Sequence, residues 1–149
     1  MDATSLAALP LSARPGSAKV ARDFATSVLC AWGLGDLLPD VSVVVSELVT
    51  NAVRHGLRGI LADAALAGPT PSPRTDAMAP IRLCMLRQGP RLRCEVVDPS
   101  EVMPVRLDPD DDAEVGRGLC LVAALSREWG ATLLAGGGKC VWAILHPPA

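Results

Sequence analysis

The feature that most constrains the fold is the arrival of strand-like segments in adjacent pairs. Ile81 to Arg87 and Leu92 to Asp98 are apolar and alternating, and they are joined through Gln88-Gly89-Pro90. Trp129 to Ala135 and Lys139 to Leu145 repeat the arrangement around Gly136-Gly137-Gly138. A period of two sends successive side chains to opposite faces, and short glycine-bearing links close hairpins. Strands paired in this way need no crossover helix, whereas a doubly wound dinucleotide-binding domain separates its strands with helices.

Helical periodicity fills much of the remaining chain. Val20, Phe24, Val28 and Trp32 recur every fourth position, which predicts a helix over 17–32 with these residues in its stripe and Gly33 and Gly35 at its end. A second helix is predicted from a cap at Asp36 or Asp40 to about His55, with Val41, Val44, Val45, Leu48 and Ala52 buried and Gly56 as its stop. Residues 57–80 pass from a small Ala/Leu segment into Gly68-Pro69-Thr70-Pro71-Ser72-Pro73, and read as a flexible insertion without a continuous helix or strand. Gly116 and Gly118 open a third helix from about Leu119 to Arg127, and Leu9-Pro10-Leu11 is the candidate for a short edge strand. The order predicts an α+β fold, a two-layer sandwich of helices over one mixed, mainly antiparallel sheet. A chain of 149 residues suits a single domain spanning 1–149.

Composition narrows the function. Hydrophobic residues make up 50% of the chain and aromatics only 3%, so the core is aliphatic. No apolar run approaches the roughly 20 residues of a membrane-spanning helix. Met1 to Pro10 lacks the basic start and apolar segment of a secretory signal, so a cytoplasmic location is expected. A net charge of -2 leaves no electrostatic footprint for direct nucleic-acid binding. The 5 cysteines form no C-x-x-C pair and have no histidine at a zinc-like interval, which points to reduced core thiols. Cys84 and Cys94 fall near one another across the first hairpin, and the register there decides whether they face each other.

Three groups of residues can carry chemistry. Glu47, Asn51 and His55 are four apart and form one row on the second helix, bordering the stripe of Val44 and Leu48. Half-buried polar groups in such a row need partners, either from neighbouring elements or from a bound polar ligand. Asp98 shares its strand face with Leu92, Cys94 and Val96, so its carboxylate ends on the core side; it can accept from an amino group or make a turn with Pro99 and Ser100. Gly116-Arg117-Gly118-Leu119 precedes a helix, where glycines let an anion approach free N–H groups. The acidic run Asp108 to Asp112 reads as a solvated loop, and His146 as exposed.

Taken together, order and spacing are more specific than the pieces. Val43-Val44-Val45-Ser46-Glu47-Leu48-Val49-Thr50-Asn51-Ala52-Val53-Arg54-His55-Gly56 resembles the N box of the histidine-kinase-like (Bergerat) ATPases, in the actinobacterial anti-sigma-factor serine kinase branch. Val96-Val97-Asp98 resembles the adenine box, Gly116-Arg117-Gly118-Leu119 the second glycine box, and Gly138-Lys139-Cys140-Val141-Trp142-Ala143 the last strand. The similarity runs from about Arg14 to His146.

The resemblance implies ATP and Mg²⁺ as ligands, with Asn51 giving its amide oxygen to the metal and Asp98 accepting from the adenine amino group. Gly116, Arg117, Gly118 and Leu119 would belong to the lid over the triphosphate, and Glu47 would be the general base. Arg54 and His55 would flank the phosphates. The implied function is a kinase that phosphorylates a STAS-type anti-anti-sigma protein and alternately captures a sigma factor. Two departures stand out: Asp98-Pro99-Ser100 replaces the usual D-x-G, and Cys140 stands where a threonine or serine is common near the adenine. They motivate an alternative, a catalytically inactive nucleotide-gated binding module. Apolar residues on both faces of the last strand, Trp142 and Ile144 against Val141, Ala143 and Leu145, suggest a homodimer that covers the second sheet face.

Overall fold

The computed structural model describes residues 4–67, 81–103 and 114–147, with side chains described outside 56–67 and 114–118. The elements run β1 (Thr4–Leu11), α1 (Ser17–Trp32), a 3-10 turn (Gly35–Leu37), α2 (Leu38–Ala67), β2 (Ile81–Gln88), β3 (Arg91–Asp98), α3 (Glu114–Leu125), β4 (Glu128–Leu133) and β5 (Lys139–Leu145). The five strands form one sheet in the order β1-β2-β3-β5-β4. Each pairing in it is antiparallel, so the expectation of a mixed sheet gives way to a uniform one. The α+β architecture itself is the one expected, with strands β2–β3 and β4–β5 as the two hairpins.

The core lies between the helices and one sheet face. Leu83 and Met85 of β2, Leu92, Cys94 and Val96 of β3, and Val141, Ala143 and Leu145 of β5 are buried there against Val41, Val44, Val45, Leu48, Val49 and Ala52 of α2. The strand β1 is longer than the tripeptide expected, because its whole length pairs with β2 from Thr4↔Gln88 to Leu11↔Ile81. Pro10 is tolerated because β1 is the edge.

Helix α1 has the expected bounds but a different buried stripe. Ala21, Ala25 and Leu29 are fully enclosed, Phe24, Val28 and Trp32 pack at the margin, and Val20 is 53% exposed. Small side chains at the centre let the helix axis come close, and bulky neighbours then seal the sides. Gly33 ends the helix at φ +70, a left-handed cap that glycine adopts without strain. Arg87 reaches across from β2 to donate to the Trp32 carbonyl at 2.6 Å, tying that helix end to the sheet.

Helix α2 does not stop at Gly56. It continues to Ala67, which overturns the first part of the expected insertion. One interior glycine costs only about 1 kcal/mol relative to alanine, and the Leu57 to Ala67 stretch is rich in strong helix formers. The Pro-rich remainder, 68–80, and the acidic run of 108–112 lie outside the described residues. Helix α3 begins at Glu114, five residues earlier than expected, so Gly116 and Gly118 lie within its first turns and not ahead of it. An acidic residue at that end is favoured by the helix dipole.

Pairing settles the cysteines. Cys84 stands opposite Glu95 and Cys94 opposite Met85, an offset of one residue that sends the two thiols to opposite faces. All five cysteines are free. Among the described residues no helix is long and apolar enough to cross a membrane.

Two expected outcomes follow from this packing. Gly138 has φ +85, and a Cβ there would lie 2.5 Å from the Asp98 carbonyl oxygen, whereas Gly136 faces open space. Gly138→Ala should therefore lose about 1–3 kcal/mol in urea unfolding and Gly136→Ala less than about 0.5 kcal/mol. Burial raises the Cys94 thiol to about 12 and the Cys140 thiol to about 11, while Cys30 is exposed. The thiolate is the nucleophile, so at pH 8 a thiol reagent counted by mass spectrometry should label Cys30 and reach Cys94 and Cys140 only after denaturation. The same shifts favour the folded state below pH 9.0, and that contribution is lost as pH rises through about 11 to about 12.

Candidate functional site

The row on α2 meets the sheet where β3 ends and β5 begins. Antiparallel pairing sets Asp98, the last residue of β3, directly opposite Lys139, the first of β5. Residues opposite one another share a face, and the inward parity of Leu92, Cys94 and Val96 carries Asp98 toward the helices. Asp98 is 1% exposed and Lys139 0%. Neither charge could be buried alone, and each neutralises the other.

The contacts form a closed group. Lys139 Nζ donates to Asp98 Oδ1 at 3.0 Å and lies 2.9 Å from Oδ2 as an ion pair. The same ammonium is 3.0 Å from His55 Nδ1 on α2. The backbone N–H of Ser100 also donates to Asp98 Oδ1, at 2.8 Å. Asp98 thus makes the strand-end turn and faces the core at once; the two readings of this residue are compatible. The ammonium thus bridges both carboxylate oxygens, and among the described residues Oδ2 has no further partner.

Along the same helix row, Asn51 is buried one turn from His55, and among the described residues its Nδ2 has no hydrogen-bond partner. Glu47, a turn further, is partly exposed. Arg54 is half-buried beside the row. Buried polar atoms left without partners cost free energy, and a bound polar ligand is one way to satisfy them. An acceptor at Asp98 Oδ2 suits an amino group, and the Asn51 carboxamide offers both a donor and a hard oxygen suited to Mg²⁺. These residues fit a nucleotide with its metal ion.

Several expected site residues stand elsewhere. His55 meets the Lys139 ammonium at 3.0 Å, beside the Asp98 carboxylate. Cys140 is one residue out of phase with Lys139 and so sits on the outer sheet face, opposite Val97 and near Glu95. It does not join Asp98. Gly116, Arg117 and Gly118 are helical in backbone and Leu119 is buried in α3, so the glycine pair forms no loop ahead of the helix.

Lys139 and Gly138 are the residues that motif reasoning passed over. The signal was available in the alternation of β5: Lys139 shares its parity with Val141, Ala143 and Leu145, and a lysine in a core register demands a buried anion. Gly138 brings the β5 start against the Asp98 backbone, an approach that no Cβ allows.

A profile of the histidine kinase-like ATPase domain matches residues 11–145. No curated protein matches the chain. Among solved structures, the RsbU and RsbW domains of Rv1364c from Mycobacterium tuberculosis are similar, with a TM-score of 0.62 and 20% sequence identity. The alignment covers 95% of this chain but 32% of that one, and at this identity it speaks to the fold. With most of its length matched by the profile, the chain belongs to the histidine kinase-like ATPase domain family.

Proposed function

We propose that this domain binds Mg-ATP between α2 and the ends of β3 and β5, and that it is a serine kinase acting on a STAS-type anti-anti-sigma protein. The observation that carries the nucleotide reading is that, among the described residues, buried Asn51 Nδ2 has no hydrogen-bond partner, while Asp98 Oδ2 has only its ion-pair contact with Lys139. They flank the point where His55 and Lys139 join helix to sheet. Asp98 Oδ2 would accept the adenine amino group, and Asn51 would hold Mg²⁺ through its amide oxygen. The metal ion supplies charge neutralisation at the phosphates.

Glu47 is the proposed general base. It would take the proton of the serine hydroxyl as that oxygen forms its bond to the γ-phosphorus and the bond to the ADP oxygen breaks. Partial exposure keeps its carboxylate reachable by a partner's hydroxyl. The setting in sigma-factor regulation, with a sigma factor as the alternate partner and the cytoplasm as the location, follows from the likeness of the N box to that of the anti-sigma-factor serine kinase branch.

A second reading rests on a specific observation: Asp98 is already held by Lys139, and the residues after it depart from D-x-G. In that reading the domain binds nucleotide to gate partner exchange and transfers no phosphoryl group. The homodimer is also a proposal. Cys140 and Ile144 on the outer face of β5 are already buried within one chain, and Arg93 lies 4.7 Å over the Trp142 ring. One surface offered to a second copy is the β1 side, where Leu6 is 69% exposed.

Labelled ATP with the purified domain and its cognate partner tests the kinase. Glu47→Ala should lower phosphoserine formation by about 10²–10⁴-fold while calorimetry still detects Mg-ATP binding. Full transfer in Glu47→Ala, or none in the unaltered protein, rejects the kinase. Nucleotide binding that changes partner affinity without transfer supports the gating reading.

A further inference from the structure

The free edge of the sheet has a property that nucleotide binding and phosphoryl transfer do not use. Strand β1 is a terminal strand, and among the described residues no strand lies beyond it. A bare edge presents unpaired N–H and C=O groups, and folded chains commonly blunt it with charges, bulges or short length. Here Thr4-Ser5-Leu6-Ala7-Ala8-Leu9-Pro10-Leu11 runs for 8 residues without a charged side chain.

Which groups face outward follows from the first hairpin. Gln88 stands opposite Arg91 across the link Gly89-Pro90, and so short a link makes them a hydrogen-bonded pair. Backbone groups alternate in direction along a strand, so Gln88, Leu86, Cys84 and Arg82 bond toward β3, while Arg87, Met85, Leu83 and Ile81 bond toward β1. Their partners Ser5, Ala7, Leu9 and Leu11 give their N–H groups to β2, which turns those of Thr4, Leu6 and Ala8 to the open side. Pro10 shares that outward parity, and there its missing N–H takes nothing from the ladder. The side chains agree. Leu6 is 69% exposed on the outer face. On the inner side, α1 packs on β1, and its Arg22 donates to Ser46 of α2. Val20, about 200° round the helix from Arg22, faces away from α2 toward the free edge and is 53% exposed.

We propose that β1 pairs antiparallel with β1 of a second copy about a two-fold axis through Leu6, joining the two sheets into one. The proposal rests on the homodimer reading and supplies its contact; it is independent of nucleotide binding. Thr4 stands opposite Ala8 of the partner subunit, and Leu6 opposite Leu6 of the partner subunit. These pairs exchange about six backbone hydrogen bonds, and each outward group of Thr4, Leu6 and Ala8 finds its complement. A register moved so that the axis falls on Ala7 sets the Pro10 ring against the Thr4 carbonyl, which then has no donor. Opposed residues in an antiparallel pair share a face, so Leu6 meets its own copy on the outer side. The Val20 sides of the two α1 helices come toward one another on the inner side.

Sedimentation equilibrium and residue-resolved amide exchange on the unaltered protein, with Leu6→Lys, Leu6→Cys and Thr4→Cys as variants, test the pairing. In the dimer the amides of Thr4, Leu6 and Ala8 should exchange at least about tenfold more slowly than in the diluted monomer, while those of Ser5, Ala7 and Leu9 are slow in both. Leu6→Lys places like charges on the axis at an exposed position and should raise the dimer dissociation constant at least about tenfold. On mild oxidation Leu6→Cys should link two residue-6 thiols, because opposed Cα atoms about 5.5 Å apart lie within disulfide reach. Thr4→Cys should give no link between residue-4 thiols, which this register holds about 14 Å apart. Peptide mapping separates these links from any through the exposed Cys30. A dimer that Leu6→Lys leaves intact and that does not protect Leu6 and Ala8 overturns this contact alone. Protection that persists in the diluted monomer also overturns it, since the edge is then covered from within the chain. A monomer at every concentration overturns the contact together with the homodimer reading.

Discussion

The burial of one lysine organises this end of the molecule. An ammonium withdrawn from water is tolerated only beside an anion and further acceptors. Here the anion comes from the neighbouring strand and the second acceptor from α2. That requirement fixes the relative position of three elements, since β3, β5 and α2 must each deliver one group to within hydrogen-bond reach of the same nitrogen. The hydrophobic core alone would allow some sliding between helix layer and sheet, whereas a three-way polar contact specifies one placement. The candidate nucleotide site is assembled at that junction.

The two sheet faces use different physics. Inside, aliphatic side chains meet the helices with hardly any polar interruption short of Asp98 and Lys139. Outside, Arg93 pairs with Glu95 and covers Trp142, so charged stems protect apolar surface there. This is why Cys140 and Ile144 can point away from the core and still be buried.

Much of this was legible in the sequence because strand parity is a strict signal. The inward set of β3, including Asp98, follows from alternation alone, as do the two hairpins. Helix stripes were less reliable: Val20, Phe24 and Val28 outweigh alanine in any hydrophobic count, yet Ala21 and Ala25 occupy the centre of the contact because closeness of approach favoured small residues. Glycine misled in α2 and α3, where its local cost was smaller than the gain from continuing the helix. The family pattern named Asn51 and Asp98, both of which are buried, and also Cys140, whose register puts it across the sheet from Asp98. A motif gives the order of residues; only the pleat decides which side they occupy.

The unbroken course of α2 also gives the site a scale. Glu47 and His55 stand eight residues apart on one helix, which at 1.5 Å per residue separates their backbone positions by about 12 Å. The row is thus a ruler with its zero mark at the Asp98 junction, and a molecule seated there would have to extend over about that length to touch both ends.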